Sequence, residues 1–228
     1  MNQERSGRAE GNINGDPLFC GYSGPVECFV DPQAQVGDDG TAERPFNDLS
    51  DALCFSLSLR GDLPCIGAGQ DGGNMGADPG IGEAGEASRY VIRLIPGRYR
   101  LYGLSLAFGG SLIAQGEDQT ILEGTVWGLR SGATLAQVTV TGGREGGIVI
   151  SRGERAAIEN CKITGNFREY GAGILCGPGS WPSCKYCIIS RNFPRYRGGG
   201  FYLPESSPAL DHCMIAGNCV TEEGGGLY

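Results

Sequence analysis

The sequence predicts an all-β solenoid, a chain wound into stacked coils, and three observations carry that prediction. The first is a 26-residue repeat near the C-terminus. Cys161, Cys187 and Cys213 fall in step, as do Ile163, Ile189 and Ile215; Asn166, Asn192 and Asn218; and Gly173, Gly199 and Gly225. A fixed period in the twenties marks a unit that cannot bury its own apolar side and needs neighbours above and below. The second is composition: 41 glycines and only 8% aromatic residues among 228 suit tight turns and short strands better than long helices. The third is local spacing. Ile158, Cys161 and Ile163, then Leu175, are placed to face inward with one bend between them, while Glu159 and Lys162 face out. That spacing is close to the strand period of two. The leucine and helix signatures of leucine-rich and ankyrin repeats are missing.

Taken in order, residues 1–28 are polar and glycine-bearing and read as a loose N-terminal segment. The solenoid domain spans 29–228. Its lead-in, 29–60, reads as a short strand from Phe29, a Gly/Asp turn and a helix capped by Asn47 or Asp48, whose stripe of Leu49, Ala52 and Leu53 lids the first coil. Residues 67–88 are a glycine-rich excursion without periodicity, hence a surface loop. Coils fill 90–228. VIRLIPGRY opens them at Tyr90 with a turn at Pro96 and Gly97, GSLIAQGEDQTILEG follows, and then Leu135, Val138 and Val140 take the places of Ile158, Cys161 and Ile163. The turn at Gly143 is shorter than its successors, so turns absorb length while strands stay in register. Tyr228 aligns with Tyr202 in mid-coil, which predicts a stack that continues elsewhere or packs end to end on another chain.

Charge narrows the partners. The formal net charge of −8, from 26 acidic and 18 basic groups, with no basic stripe, argues against nucleic acid. The first twenty residues hold no apolar run, and no stretch approaches the ~20 apolar residues of a membrane span. Ten cysteines, an even number, point to an oxidising compartment, with Cys20–Cys28, Cys54–Cys65 and Cys176–Cys184 as disulfide candidates by proximity. The three repeat cysteines suit small core thiols as well.

The run N-C-K-I-T-G-N at Asn160–Asn166 and G-G-G-F-Y at Gly198–Tyr202 resemble repeats of right-handed parallel β-helix proteins of the pectin-lyase-like superfamily. The stretch Phe29–Leu53, with G-T-A-E-R-P-F ahead of a helix, is similar to the lead-in of bacterial secreted β-helices. The resemblance covers 29–228 and implies a right-handed parallel β-helix with a short N-terminal capping helix, extracellular or at the cell surface, its export signal outside this chain. The superfamily includes pectate lyases, polygalacturonases, alginate epimerases, phage tailspikes and adhesins. The G-G-G element with its upstream asparagine is similar to polymorphic outer-membrane proteins, without their Phe-x-x-Asn half. Polygalacturonase-like catalysis would imply paired aspartates and a Gly-His-Gly, whereas the one Asp-Asp, Asp38-Asp39, lies in the lead-in and the one histidine is His212. Leu210-Asp211-His212 resembles the Ile-Asp-His of pectate lyases, and Asn192–Arg197 resembles their Arg-x-Pro-x-x-Arg with Asn192 in place of the first arginine. There, calcium and an arginine would promote loss of the proton alpha to a uronate carboxylate. Here the two fragments come in reversed order, and His212 takes a repeat position filled elsewhere by Asn160 and Tyr186.

Stacking by itself accounts for many candidates. Glu159, Lys185 and Asp211 form a column of alternating sign, Glu169 faces Arg195 and Arg197 faces Glu223, each pair contributing roughly 0.2–1 kcal/mol. Asn166, Asn192 and Asn218 read as a hydrogen-bonded structural ladder rather than metal ligands. The glycines fit tight coil corners, since no lysine or helix start follows to make a phosphate loop. Cys184-x-x-Cys187 lacks a second pair for zinc, and no cofactor is implied beyond calcium on oxygen ligands of the Asp71–Asp78 loop. Left over are Arg168, Tyr170, Arg195, Tyr196 and Arg197 at the widest turn, with Asp211 and His212. Tyr170 over Tyr196, flanked by arginines, offers a step for sugar rings and partners for glycan carboxylates; a solvated turn with a tyrosine stack is the competing reading. Trp127 and Trp181 stand isolated. The expectation is a surface module that binds a polysaccharide or cell-surface partner without a catalytic site. The alternative is a lyase or hydrolase acting on uronate polysaccharide.

Overall fold

A computed structural model describes residues 26–58, 90–101 and 110–228. These residues wind into a parallel β-helix in which each coil adds a rung to the same walls, and every strand pairing is parallel. Among the described residues the first wall has seven strands: Val26–Val30, Tyr90–Leu94, Ser111–Ile113, Thr134–Ala136, Ala157–Glu159, Ser183–Lys185 and Ala209–Asp211. The second has six, from Gly97–Arg100 through Lys162–Thr164 and Ile188–Ser190 to Met214–Ala216. The third has four: Val126–Trp127, Ile148–Ile150, Ile174–Cys176 and Phe201–Tyr202. The segment read as a lead-in strand is therefore itself a rung, with Val26–Val30 paired along its whole length to Tyr90–Leu94.

The core is built by columns. Leu112, Leu135, Ile158 and Cys184 follow one another in register on the first wall, and Leu122, Val140, Ile163 and Ile189 on the second. Ile148, Ile174 and Phe201 do so on the third, and all eleven side chains are fully buried. A coil one residue thick has too little apolar area to stand alone, so stability comes from each rung covering the next. Helix α1 (Leu49–Ser58) closes the N-terminal end, with Leu49 and Ala52 buried in the core cluster. Asp48 is its N-cap, its carboxylate accepting from the Ser50 N–H at 2.7 Å.

The corner between the first and second walls is turned by one left-handed residue, Gln137, Asn160, Tyr186 or His212, with φ between 50° and 62°. The next residue then points inward, which places Cys161, Cys187 and Cys213 in the repeat position. Their thiols donate to corner carbonyls: Cys161 to Glu159 at 3.2 Å, Cys187 to Lys185 at 3.2 Å and Cys213 to Asp211 at 3.4 Å. At the following corner the asparagines hydrogen-bond in series. Asn166 Nδ2 donates to Asn192 Oδ1 and Asn192 Nδ2 to Asn218 Oδ1, both at 3.0 Å. Each carboxamide oxygen also accepts a backbone N–H from one coil earlier, of Gly143, Asn166 or Asn192, and each Nδ2 donates to a carbonyl, Val140, Ile163 or Ile189. A buried turn thus keeps its polar groups paired.

Several expectations need correction. Cys176 and Cys184 are free thiols, because residues 177–182 carry them to different walls, where each fills an inward position of its own strand. Cys161, Cys187, Cys213 and Cys219 are also free thiols. The pairings Cys20–Cys28 and Cys54–Cys65 involve side chains outside the described residues, as do the loose N-terminal segment up to residue 25, the loop 67–88 and the calcium reading of Asp71–Asp78. Leu175 faces outward, not into the core, while its neighbours Ile174 and Cys176 are buried. Glu159, Lys185 and Asp211 do align in register, yet the ion pairs form elsewhere: Arg93 with Glu27 at 2.7 Å, Arg98 with Glu123, and Arg197 with Glu222 rather than Glu223.

Candidate functional site

The widest turn is not a loop but a strap of two short parallel strands, Phe167–Tyr170 and Phe193–Arg197. The second strand is one residue longer, and the register shifts between Arg168 and Tyr170 so that Phe167 pairs with Phe193 but Tyr170 with Arg197. This bulge has a downstream effect. On the third wall Ile174 pairs with Phe201, a spacing of 27 instead of 26, and the left-handed corner glycines become Gly171 and Gly198. Backbones also approach closely there: a Cβ on Gly173 would lie 2.4 Å from the Gly200 carbonyl oxygen.

The strap stands beside the outer face of the third wall. Between them lies a cleft of about 470 Å³, lined by Glu145, Phe167, Arg168, Tyr170, Leu175 and Tyr202 together with Arg144 and Glu169. The tyrosines form a contiguous run of rings, tilted by 35° and 50° at Tyr170 and stacked between Tyr202 and Tyr228. Tyr170 lies 5.3 Å from Tyr196 and 5.5 Å from Tyr202, and Tyr202 lies 5.7 Å from Tyr228 with rings only 4° apart. Arginines cap the aromatics, Arg168 over Trp127 at 5.6 Å, Arg195 over Tyr196 at 5.3 Å and Arg197 over Tyr228 at 4.9 Å. Phe167 and Phe193 are about half exposed, so the strap keeps apolar rings in water on a fold that could have buried them.

The arginines differ in what occupies them. Arg197 is held by the Glu222 carboxylate at 2.9 Å and donates to the Tyr228 hydroxyl at 2.5 Å; this hydrogen bond with the carboxylate raises its pKa further. Arg168 donates to the Glu145 backbone carbonyl at 2.7 Å. Among the described residues neither Arg168 nor Arg195 forms an ion pair with a carboxylate.

A right-handed β-helix region is the family model that matches, over residues 102–228, more than half of the chain. The chain belongs to the right-handed β-helix family. Comparison with curated proteins and with solved structures gives no match, so membership identifies the scaffold, and function has to be read from the side chains mounted on it. Among the described residues no helix is long and apolar enough to cross a membrane.

Within the β-helix, Asp211 and His212 lie apart from the strap. They sit at the first corner, separated from it along each coil by the whole second-wall strand. Asp211 Oδ1 is 2.5 Å from His212 Nδ1, and the imidazole stacks on Tyr186 at 5.0 Å. The two fragments that resemble pectate lyase motifs therefore do not converge on one site. Asn166, Asn192 and Asn218 spend their carboxamides on one another and on backbone. Among the described residues no group of three or more His, Cys, Asp or Glu side chains is arranged to hold a metal ion.

Of the residues singled out from the sequence, the structure gathers Arg168, Tyr170, Arg195, Tyr196 and Arg197 on this face, together with Trp127, Phe167, Leu175, Tyr202 and Tyr228, which the sequence reading did not single out. A signal for one pair was present, since Tyr202 and Tyr228 are 26 apart. Trp127 carried none, because only the register Trp127↔Val149↔Leu175↔Tyr202 puts it in the same column.

Proposed function

We propose that this β-helix is a non-catalytic recognition module that binds a glycan on the tyrosine–arginine face, acting outside the cell or on its surface. The observation that carries the reading is the run of tyrosine rings Tyr196–Tyr170–Tyr202–Tyr228, with Tyr170 and Tyr228 exposed and Tyr196 and Tyr202 half-buried, beside a cleft and with arginines over Tyr196 and Tyr228. Flat rings with one hydroxyl edge pack against the apolar faces of sugars while arginine and glutamate groups exchange hydrogen bonds with their hydroxyls. The finer resemblance to pectin-lyase-like proteins, through Asn160–Asn166 and Gly198–Tyr202, supports a carbohydrate ligand.

A second reading, a hydrolase or lyase on uronate polymers, rests on Glu145 and Glu169, two carboxylates lining the same cleft, since glycoside hydrolases use such a pair. A glycan array run beside a reducing-end and unsaturated-product assay, with calcium present, separates the two. Binding without product supports recognition, and Tyr170→Ala should weaken it by about tenfold, the loss of one stacked ring at about 1 kcal/mol or slightly more. Product formation abolished by Glu145→Gln or Glu169→Gln would establish the enzyme instead.

A further inference from the structure

We infer that the ligand of this face is a linear, uncharged polysaccharide lying parallel to the solenoid axis, with its sugar rings on the outward aromatic rungs; the inference rests on the glycan reading above. The first support is a column that the strap partly hides. On the outer face of the third wall, Trp127, Val149, Leu175 and Tyr202 occupy one register position in four consecutive coils. Tyr228 extends it into the next, where Leu227 bridges Phe201. Neighbouring parallel strands lie about 4.8 Å apart, so five positions span about 19 Å along the axis. Val149 is only 8% exposed, so the reachable contacts are Trp127 on one side of that rung and Leu175, Tyr202 and Tyr228 on the other, a spread that fits an extended chain of rings. It offers poor contact to a single sugar or a branched cluster.

The second support is charge. Arg197 and Glu222 neutralise each other. The cleft beside the strip then holds Arg144 and Arg168 against Glu145 and Glu169, two of each sign. The whole chain carries a formal charge of −8. A polyanion would meet no net local attraction and a long-range repulsion, whereas a hydroxyl-rich neutral chain finds acceptors in the glutamates and donors in the arginines. The acidic glycan suggested by the arginines in sequence is therefore replaced by a neutral one once their acidic neighbours are counted.

The test is a calorimetric titration with β-1,4-linked glucose, mannose and xylose oligomers of increasing length, alongside galacturonate oligomers, each at low and high salt. The expected result is binding of a neutral series that tightens by at least ~10-fold from dimer to pentamer, as further rings stack, and that barely responds to salt. Trp127→Ala, at one end of the column, should weaken the pentamer but not the dimer; the wild-type length series stands whether or not that variant folds. Tighter binding of galacturonate that fades with salt, or equal affinity for dimer and pentamer, overturns this inference and leaves glycan recognition standing. Silence towards every glycan overturns both.

Discussion

The asparagine ladder is where single residues carry most consequence. Asn192 is fully buried and its carboxamide serves two coils at once, accepting from the Asn166 N–H and Nδ2 and donating to Ile163 and Asn218. Asn192→Ala strands these groups away from water and should cost about 3 kcal/mol in urea denaturation, since each unsatisfied buried group costs about 1–3 kcal/mol. Asn192→Asp keeps the acceptor but removes the donors and buries a charge, so it should be no milder at neutral pH. The thiols are quieter. Burial pushes Cys161 and Cys184 well up and Cys176 to about 12, and a thiol held protonated is a poor nucleophile. Mass spectrometry after a short exposure of the folded protein to an alkylating reagent should find exposed Cys219 modified and these three untouched.

At the level of elements, the cap and the first rungs have their own ties. Leu49, the first residue of α1, is 5% exposed, and Leu49→Ala should lower stability by about 3 kcal/mol, through lost burial and a cavity next to the first rungs. Tyr99 fastens those rungs, its hydroxyl 2.8 Å from the Val30 carbonyl and 2.6 Å from that of Ile95, and burial drives its pKa upward. Across the first wall, Arg93 hydrogen-bonds Glu27 and lowers its pKa from 4.5. A depressed folded-state pKa gives stability that is present above 4.5 and lost as pH falls through the lowered value. Both side chains are more than a third exposed, so the effect stays below about 1 kcal/mol. Glu27→Gln should flatten the acid limb of a stability–pH curve slightly and leave stability above pH 6 almost unchanged relative to its own plateau.

For the whole molecule, stability is distributed along one axis because each coil touches only its neighbours. The middle rungs, from Leu112 to Ile189, have fully buried columns. Amide hydrogen exchange should therefore be slow in Thr134–Ala136, Ala157–Glu159 and Lys162–Thr164 and faster in the largely exposed strap strand Phe167–Tyr170. Equal protection of the strap and of these wall strands would contradict that picture. The same linear build turns any outward register position into a straight column at rung spacing.

The sequence by itself determined the scaffold. Inward residues must repeat at the same coil position, and so Cys161, Ile163 and Asn166 return as Cys187, Ile189 and Asn192, a pattern open to counting. It also placed the capping helix, through Asp48 and the Leu49–Ala52 stripe, because caps and amphipathic spacing are local. Only the tertiary structure decided the site. One extra residue in the strap shifted the third wall from 26 to 27, which a fixed-period alignment cannot show. That shift belongs to the wall where Leu175 faces outward and where Trp127 and Tyr202 share a column with it. Which carboxylate holds which arginine likewise followed from side-chain reach, not register: Glu222 took Arg197, although Glu223 lies opposite it on the backbone. A repeat encodes what each coil must bury to stack on the next. It leaves the outward side chains unconstrained, and there the folded geometry alone assembles distant residues into one face.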